Sequence, residues 1–272
     1  MHKLLCAKTM VIAVSILATS SIAGVALANH SWNGYHWARA ANPFTVKLGD
    51  NVSAAWDGHL ATTSIDWSIS SVLDTTIVLG NTSDAKGRNT PKNCVPTSGR
   101  VEVCNSKYGS NGWLGVAQIW ISGGHIVQGT VKLNDTYFNT AKYNTSAWRN
   151  LVMCQEVGHT FGLAHQDENF TNANLGTCMD YTNDPSTNQH PNQHDYDELA
   201  IIYAHLDSFN TALQSILGGG SSKPAGVGQD IDLNDPSAWG KAVKQDARGQ
   251  NSLYERDLGN GNKVFTFVVW AK

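Results

Sequence analysis

The stretch that decides the fold runs from Cys154 to Asp167 and reads CQEVGHTFGLAHQD. Gln155 and His159 are four positions apart, so a helix through this stretch places their side chains on one face. Glu156 lies one position further round the turn, where its carboxylate can reach a water molecule beside a metal ion. The spacing therefore predicts a helix that presents two polar donors and a carboxylate together.

A glycine follows this helix and predicts a turn. Gly162 comes three residues after His159, and glycine permits a sharp reversal of the chain, which would bring His165 back toward the same point. A divalent ion held by two imidazoles polarises water, and a neighbouring carboxylate such as that of Glu156 takes the proton that is released. The stretch thus predicts metal-assisted hydrolysis of an amide bond.

These residues resemble the extended zinc signature of the metzincin metallopeptidases, H-E-x-x-H-x-x-G-x-x-H, and residues 156–165 are especially similar to its matrixin form. Residues 177–181, which read TCMDY, resemble the family's Met-turn in its pappalysin-like form. The resemblance implies an α+β, zincin-like catalytic domain with a twisted mixed sheet, an active-site helix and a Met-turn. It also implies a Zn²⁺ cofactor and a zinc-dependent endopeptidase that acts on a peptide or protein substrate.

The resemblance further implies a role for individual side chains. His159 and His165 would bind the zinc ion, and Glu156 would be the general base. Tyr181, two positions after the methionine of the Met-turn, would contact the metal or stabilise the oxyanion of the transition state. Met179 would form the floor beneath the metal.

The first histidine of the signature is replaced by Gln155 in this chain. A glutamine carbonyl oxygen can bind Zn²⁺, although zinc prefers nitrogen and sulfur donors. Three interpretations follow: Gln155 is the third ligand, Asp167 takes its place, or the metal is lost and the chain is a non-catalytic secreted binding or adhesion protein of metzincin fold. We expect Gln155 to be the third metal ligand, because the other residues of both motifs are present together.

The amino terminus has the pattern of a secretory signal peptide. Residues 1–28 begin with a basic segment, continue as a largely apolar stretch and end in Ala-Leu-Ala. An uncleaved membrane anchor is the alternative, because the apolar stretch is close to the length that spans a bilayer. We expect cleavage, no stable membrane insertion afterwards, and a protein that is secreted, or periplasmic if the source is bacterial.

Cleavage would remove Cys6 and leave four cysteines, Cys94, Cys104, Cys154 and Cys178. Four cysteines in an exported protein predict two disulfide bonds, for which three pairings are possible. The short loop between the first two favours a bond between them, which leaves Cys154 with Cys178. That second bond would tie the predicted active-site helix to the Met-turn.

The composition indicates a globular protein with more than one part. Hydrophobic residues make up 41% of the 272 residues and the net charge is −3, which argues against a disordered chain and against a nucleic-acid-binding protein. The metzincin-like domain is predicted over residues 29–216, and the Gly/Ser-rich residues 217–232 are typical of a linker. Residues 233–272 predict a β-hairpin tail that docks on the main domain or on a partner. We expect a monomer.

The pattern of hydrophobic residues predicts strands over 43–48, 75–79, 100–104, 113–121 and 126–133. It also predicts helices over 56–67 and 195–205, and a further helix that Ser146 caps. Metzincins hold a substrate peptide as an added strand at the edge of the sheet. The resemblance places that edge in the predicted strand around residues 112–120, with Gly115, Val116 and Ala117 as the residues that pair with substrate. A fully buried strand is the alternative for the same pattern.

Overall fold

The computed structural model describes residues 30–82, 90–212 and 234–272, so the predicted signal peptide and linker lie outside the described residues. Within these ranges the chain forms a large mixed sheet with few helices, in agreement with the α+β prediction. No helix there is long and apolar enough to cross a membrane. The helices are α1 (Ala54–Trp67), α2 (Asp135–Phe138), α3 (Ser146–His159) and α4 (Gln193–Ile202). The strands are β1 (His36–Trp37), β2 (Phe44–Asn51), β3 (Leu73–Leu79), β4 (Arg100–Ser106), β5 (Trp113–Ser122), β6 (His125–Asn134), β7 (Lys241–Gln245), β8 (Asn251–Gly259) and β9 (Asn262–Trp270).

The strands share one sheet in the order β3-β2-β4-β6-β5-β9-β8-β7, and β1 pairs with β6. The half from β3 to β6 is parallel, whereas β5, β9, β8 and β7 continue it in antiparallel pairs. Parallel neighbours need a crossover connection, and α1 supplies it between β2 and β3. The change of direction falls between β6 and β5, next to the helix that carries the predicted site.

Helix α3 packs between the sheet and α1. A Cβ atom added at Gly115 of β5 would lie 2.5 Å from Cγ1 of Val152, so only glycine lets the helix approach the strand this closely. On the other side of α3, the indole nitrogen of Trp67 in α1 donates to the backbone oxygen of Cys154 at 3.2 Å. The position of α3 relative to β5 is thus fixed from both sides.

The ends of two helices differ from the prediction. Thr145, rather than Ser146, caps α3, because Thr145 has extended backbone and its hydroxyl accepts the N–H of Trp148 at 3.2 Å. Helix α4 ends at Ile202 rather than at His205. The predicted strands and the helix over 56–67 are present, with ends shifted by a few residues.

The C-terminal residues belong to the same sheet. Strands β8 and β9 form the predicted hairpin, and β7 adds a strand that the sequence pattern did not predict. Strand β9 pairs antiparallel with β5, from Trp113 opposite Trp270 to Ser122 opposite Asn262. The tail was predicted to dock either on the main domain or on a partner. In the structure it docks on the main domain, through the pairing of β9 with β5.

This pairing changes the expectation for the substrate edge. Strand β5 is paired with β6 on one side and with β9 on the other, and its residues 113–121 are all buried. Gly115, Val116 and Ala117 lie opposite Val269, Val268 and Phe267 of β9. The expectation of a free edge here is therefore wrong for this state of the chain, and the buried-strand alternative is the one observed.

Both favoured disulfide bonds are present. Cys94 is bonded to Cys104, and Cys154 to Cys178, with Cα–Cα distances of 5.9 Å in each pair. The second bond joins α3 to the segment just before Met179, as expected. Disulfide bonds are typical of proteins that fold in an oxidising compartment, so they are compatible with the predicted export.

We predict that Cys154→Ala combined with Cys178→Ala lowers the free energy of unfolding by about 3.4 kcal/mol, because the bond closes a loop over a sequence separation of 24. The matched control is Cys94→Ala combined with Cys104→Ala, whose separation of 10 corresponds to about 2.7 kcal/mol. Chemical denaturation measures both values. A peptide mass map that links Cys94 to Cys154 or Cys178 would contradict the assigned pairs.

Candidate active site

The two histidines of the motif meet because the chain reverses after α3. Gly162 has a φ of +100°, and a Cβ atom there would lie 2.4 Å from the backbone oxygen of Tyr35, so no other residue fits without a shift. After this turn, Nε2 of His165 lies 3.0 Å from Nε2 of His159. Both side chains are buried. The convergence predicted from Gly162 is present.

Each imidazole is held by its other ring nitrogen. Nδ1 of His159 lies 2.8 Å from the backbone oxygen of Leu163, and Nδ1 of His165 lies 2.8 Å from Oε1 of Glu168. Both partners are acceptors, so each Nδ1 carries the hydrogen and each Nε2 of a neutral ring offers a lone pair. Two lone pairs that face each other need a proton or a cation between them. Burial, as the largest cause, lowers the pKa of both histidines, which disfavours the proton.

Glu156 is fully buried beside β5. Neither of its carboxyl oxygens makes a well-formed hydrogen bond within the described residues. Burial raises the pKa of Glu156 well above its usual range, and the backbone N–H of Ala117 opposes this rise. A Cβ atom at Gly115 would lie 2.7 Å from its Oε1, so the same glycine that admits α3 also makes room for this carboxyl group. A buried acid with a raised pKa is typical of functional sites.

Gln155 and Asp167 were the two alternatives for a third ligand. Gln155 is buried, and its amide nitrogen donates to the backbone oxygen of Cys178 at 2.8 Å, which leaves its carbonyl oxygen as the ligand atom. Both carboxylate oxygens of Asp167 already accept hydrogen bonds, from Asn169 and from Asn172. The choice of Gln155 over Asp167 as third ligand stays a prediction.

The Met-turn packs against α3. Met179 is fully buried, and a Cβ atom at Gly158 would lie 2.7 Å from its sulfur. The backbone oxygen of Met179 accepts the N–H of Gln166 at 2.7 Å, so the turn also supports the loop that carries His165. Met179 therefore supports the helix and the loop on which the two histidines lie.

Tyr181 lies against the histidine pair. Its ring centroid is 4.1 Å from that of His165, and on the other side its ring stacks on Phe170 at 4.7 Å. The phenol donates to the backbone oxygen of Val268 in β9 at 3.2 Å. Burial, as the largest cause, raises the pKa of Tyr181 well above its usual range. The hydroxyl therefore keeps its hydrogen and donates it to the C-terminal strand.

Strand β9 also covers the histidines directly. The ring of Phe267 stacks on His159, with a centroid distance of 4.1 Å and an interplanar angle of 14°. Together with the bond from Tyr181 to Val268, this contact places the C-terminal strand over the site. The site is therefore closed by a segment more than 100 residues away in sequence from His159.

Sequence reasoning missed two residues that bear on the site. Glu168 accepts the Nδ1 hydrogen of His165, and it also pairs with Lys244 of β7 at 2.9 Å. Glu168 could have been predicted from the sequence, because a carboxylate three positions after His165 is close enough to contact its ring. Phe267 had no such signal, because its contact with His159 depends on the pairing of β9 with β5.

A cavity of about 190 Å³ lies beside the site. Gln155 and Tyr181 line it, together with Leu114 of β5 and with Val269 and Trp270 of β9. The side chains from the two strands are apolar, and α3 adds the apolar side chains of Trp148 and Leu151 beside the amide of Gln155. The cavity therefore provides room for an apolar group next to the side chains that were predicted to act on a substrate.

The residues present fit a zinc ion. Zinc binds imidazole nitrogens at about 2.0–2.1 Å, which puts two such atoms about 3.3 Å apart at a tetrahedral ion, close to the observed 3.0 Å between His159 and His165. Hydrogen bonds from Nδ1 to a carbonyl or carboxylate oxygen are the usual outer contacts of such ligands. Within the described ranges, no further histidine, cysteine or carboxylate joins this pair as a close third donor. The amide oxygen of Gln155 as third donor stays a prediction.

Comparisons with known proteins add little to this geometry. No protein-family model and no curated protein matches the chain. Among the solved structures that do match is the crystal structure of myroilysin, with a TM-score of 0.32 and 12% sequence identity over 61% of this chain and 86% of that chain. A likeness this distant assigns neither a fold family nor an activity to this chain.

We predict that Gly162→Ala lowers the free energy of unfolding by at least about 2 kcal/mol, because its φ is +100° and the added methyl group would meet the backbone of Tyr35. The matched control is Gly176→Ala, where φ is +72° but nothing lies within 4 Å, so only the backbone term of about 1 kcal/mol applies. Thermal or chemical unfolding measures the difference. Equal losses for the two variants would show that the close approach to Tyr35 does not matter.

Proposed function

We propose that this chain is a secreted zinc-dependent endopeptidase whose cleft is closed by its own C-terminal strand. The observation that carries the proposal is the buried pair of Nε2 atoms of His159 and His165, 3.0 Å apart, each with its other nitrogen held as a donor. The carboxyl group of Glu156, one helical turn before His159, makes no well-formed hydrogen bond within the described residues and would be available for proton transfer. The disulfide bonds support the exported location.

In this proposal, His159, His165 and the amide oxygen of Gln155 would hold the zinc ion. When bound, zinc supplies a Lewis acid that polarises a carbonyl group and lowers the pKa of a water molecule. Glu156 would take the proton from the attacking water and return it to the leaving amine. A bound cation also favours the ionised form of Glu156, which burial alone disfavours.

Tyr181 would stabilise the negative charge that develops on the carbonyl oxygen of the substrate. Its phenol lies beside His165 and has a hydrogen to donate, which it now gives to Val268. A hydrogen bond to a developing oxyanion lowers the barrier more than a bond to the ground state. Release of Val268 would therefore free this donor for the substrate.

The closure follows from where β9 lies. An extended peptide that adds to β5 needs the N–H and C=O groups that β9 now uses along residues 113–122. Phe267 and Val268 of β9 also occupy the face of His159 and the hydroxyl of Tyr181. We therefore propose that substrate binds only when β9 leaves β5. Residues 234–272 contain no cysteine, so only the chain through residues 213–233 ties this segment covalently.

Cutting that connection should activate the protein. We predict that replacing residues 222–227 by the recognition sequence of a specific protease, followed by cleavage, raises hydrolysis of an unstructured peptide library at least ten-fold. The reason is that a tethered strand rebinds at an effective concentration on the order of millimolar, whereas the cut segment at about 1 µM protein does not. The uncut preparation of the same variant is the matched control.

A second variant makes this test independent of how tightly the cut segment stays bound. Phe267→Ala removes the ring that stacks on His159, so the cut protein with this change should release the segment more readily and cleave faster still. Equal hydrolysis by cut and uncut protein would overturn the closure but leave the peptidase. A cut, zinc-loaded protein that has released the segment and hydrolyses nothing would instead favour the non-catalytic binding protein.

Metal content tests the site separately from activity. We predict that His165→Ala binds one zinc ion fewer than the unaltered protein, whereas the exposed His190→Ala binds the same number. In the cut protein, Glu156→Gln should keep the zinc ion and lose at least about 100-fold in hydrolysis, because only proton transfer is removed. Zinc is measured by mass spectrometry of the metal and hydrolysis by fluorescence of quenched peptides.

The variant Gln155→His tests the third ligand. Zinc prefers imidazole nitrogen to an amide oxygen, so this change should tighten zinc binding at least ten-fold if Gln155 contacts the ion. Unchanged affinity would remove Gln155 from the ligand set. Loss of folding is excluded by measuring the unfolding midpoint of the metal-free variant beside that of the unaltered protein.

A further inference from the structure

A second group of metal-binding side chains lies away from the candidate active site and shares no residue with it. His36 in β1 and His205 and Asp207 after α4 each offer a ligand atom, and these atoms all lie within 4.8 Å of one another. Nε2 of His36 is 3.1 Å from Nε2 of His205, and the two nitrogens are 3.5 Å and 3.7 Å from the carboxylate oxygens of Asp207. We call His36, His205 and Asp207 the second cluster.

The orientation of His36 suits a ligand. Its Nδ1 lies 2.8 Å from the backbone oxygen of Gly34, which can only accept, so Nδ1 carries the hydrogen and Nε2 of the neutral ring turns its lone pair toward the second cluster. A backbone carbonyl is the usual outer partner of a zinc-binding histidine. The ring itself is buried, so its direction is fixed.

Two further side chains hold the carboxylate of Asp207. The guanidinium and the backbone N–H of Arg39 both donate to its Oδ2, each at 3.1 Å. His125, in the first position of β6, brings Nε2 to 3.3 Å from its Oδ1. Oδ2 lies 3.5 Å from Nε2 of His36, and Oδ1 lies 3.7 Å from Nε2 of His205, so the held carboxylate faces both imidazoles of the second cluster.

We propose that the second cluster is a structural site for Zn²⁺ or a similar transition metal. Two imidazole nitrogens and one carboxylate oxygen, with a third imidazole beside them, match the nitrogen and oxygen donors of zinc, whereas calcium and magnesium take oxygen ligands. The side chain of His205 is 57% exposed, so an ion can enter from solvent. Arg39 balances the single carboxylate, so the imidazole nitrogens supply most of the binding.

The site would join parts of the chain that are far apart in sequence. His36 lies in β1, near the start of the described chain, whereas His205 and Asp207 follow α4. The segment that carries His36 also braces the end of α3, because the indole of Trp37 donates to the backbone oxygen of Thr160 at 2.9 Å, and that of Trp32 to the oxygen of His159 at 3.2 Å. A metal ion at the second cluster would hold this brace in place and stabilise the folded state.

The test separates this site from the candidate active site. In the full-length His165→Ala protein, stripped with a chelator and titrated with Zn²⁺, we expect one equivalent of zinc to remain bound and the unfolding temperature to rise on addition of zinc. Adding His205→Ala should abolish both effects, whereas adding the exposed His190→Ala should change neither. His205 is chosen because it is largely exposed, so its loss costs little packing.

Two results would overturn the proposal. One is a His165→Ala protein that binds no zinc, and the other is retention of the bound equivalent after His205→Ala; either would leave a hydrogen-bonded histidine cluster without a metal. The single variant His205→Ala is a second measurement, since it should bind one zinc ion fewer than the unaltered protein. If the active-site proposal fails instead, His165→Ala alone changes nothing and the loss caused by His205→Ala is still seen.

Discussion

The site is organised around two buried nitrogen lone pairs that face each other. His159 and His165 each give a hydrogen to a fixed acceptor, so neither can donate to the other across their 3.0 Å separation. A proton there is disfavoured by burial, which lowers the pKa of both rings. A cation between them satisfies both nitrogens at once. Three neighbouring features hold this pair in place: the turn at Gly162, the Met-turn and the carboxylate of Glu168.

That pair depends on a small number of positions where only glycine fits. Gly162 allows the reversal that returns His165 to His159, and Gly158 leaves room for Met179 beneath α3. Gly115 does the same on the other side, where α3 and the carboxyl group of Glu156 approach β5. The bond between Cys154 and Cys178 then joins the helix to the Met-turn covalently. Helix α3 therefore lies closer to β5 and to the Met-turn than larger side chains at these glycines would permit.

The C-terminal strand gives this arrangement a closed state. Strand β9 lies between β5 and β8, along the side of β5 on which we propose that a substrate peptide pairs, and Phe267 covers His159. The same strand pairs bury apolar side chains, which stabilises this arrangement. In the proposed function, access to the site therefore requires the loss of the contacts between β9 and β5.

Local spacing along the chain was enough to predict the helix through Gln155 and His159, the turn at Gly162 and the favoured pairing of the cysteines, whereas the α+β class was implied by the family resemblance. These features depend on residues within a few turns of one another, or on a short list of possible pairings. Spacing also singled out Gln155, Glu156, His159 and His165, and the family resemblance added Tyr181. The structure brings them to one region, although their roles stay predictions.

The rest was decided by tertiary structure, because it depends on contacts between distant segments. The hairpin over residues 251–270 was predictable from its turn, but its register on β5, and hence the place of Phe267, was not. The meeting of His36 with His205 and Asp207 likewise has no signal in the local sequence, because these residues come from opposite ends of the main domain. Periodicity reports which face of an element is buried, and only the folded chain determines what that face meets.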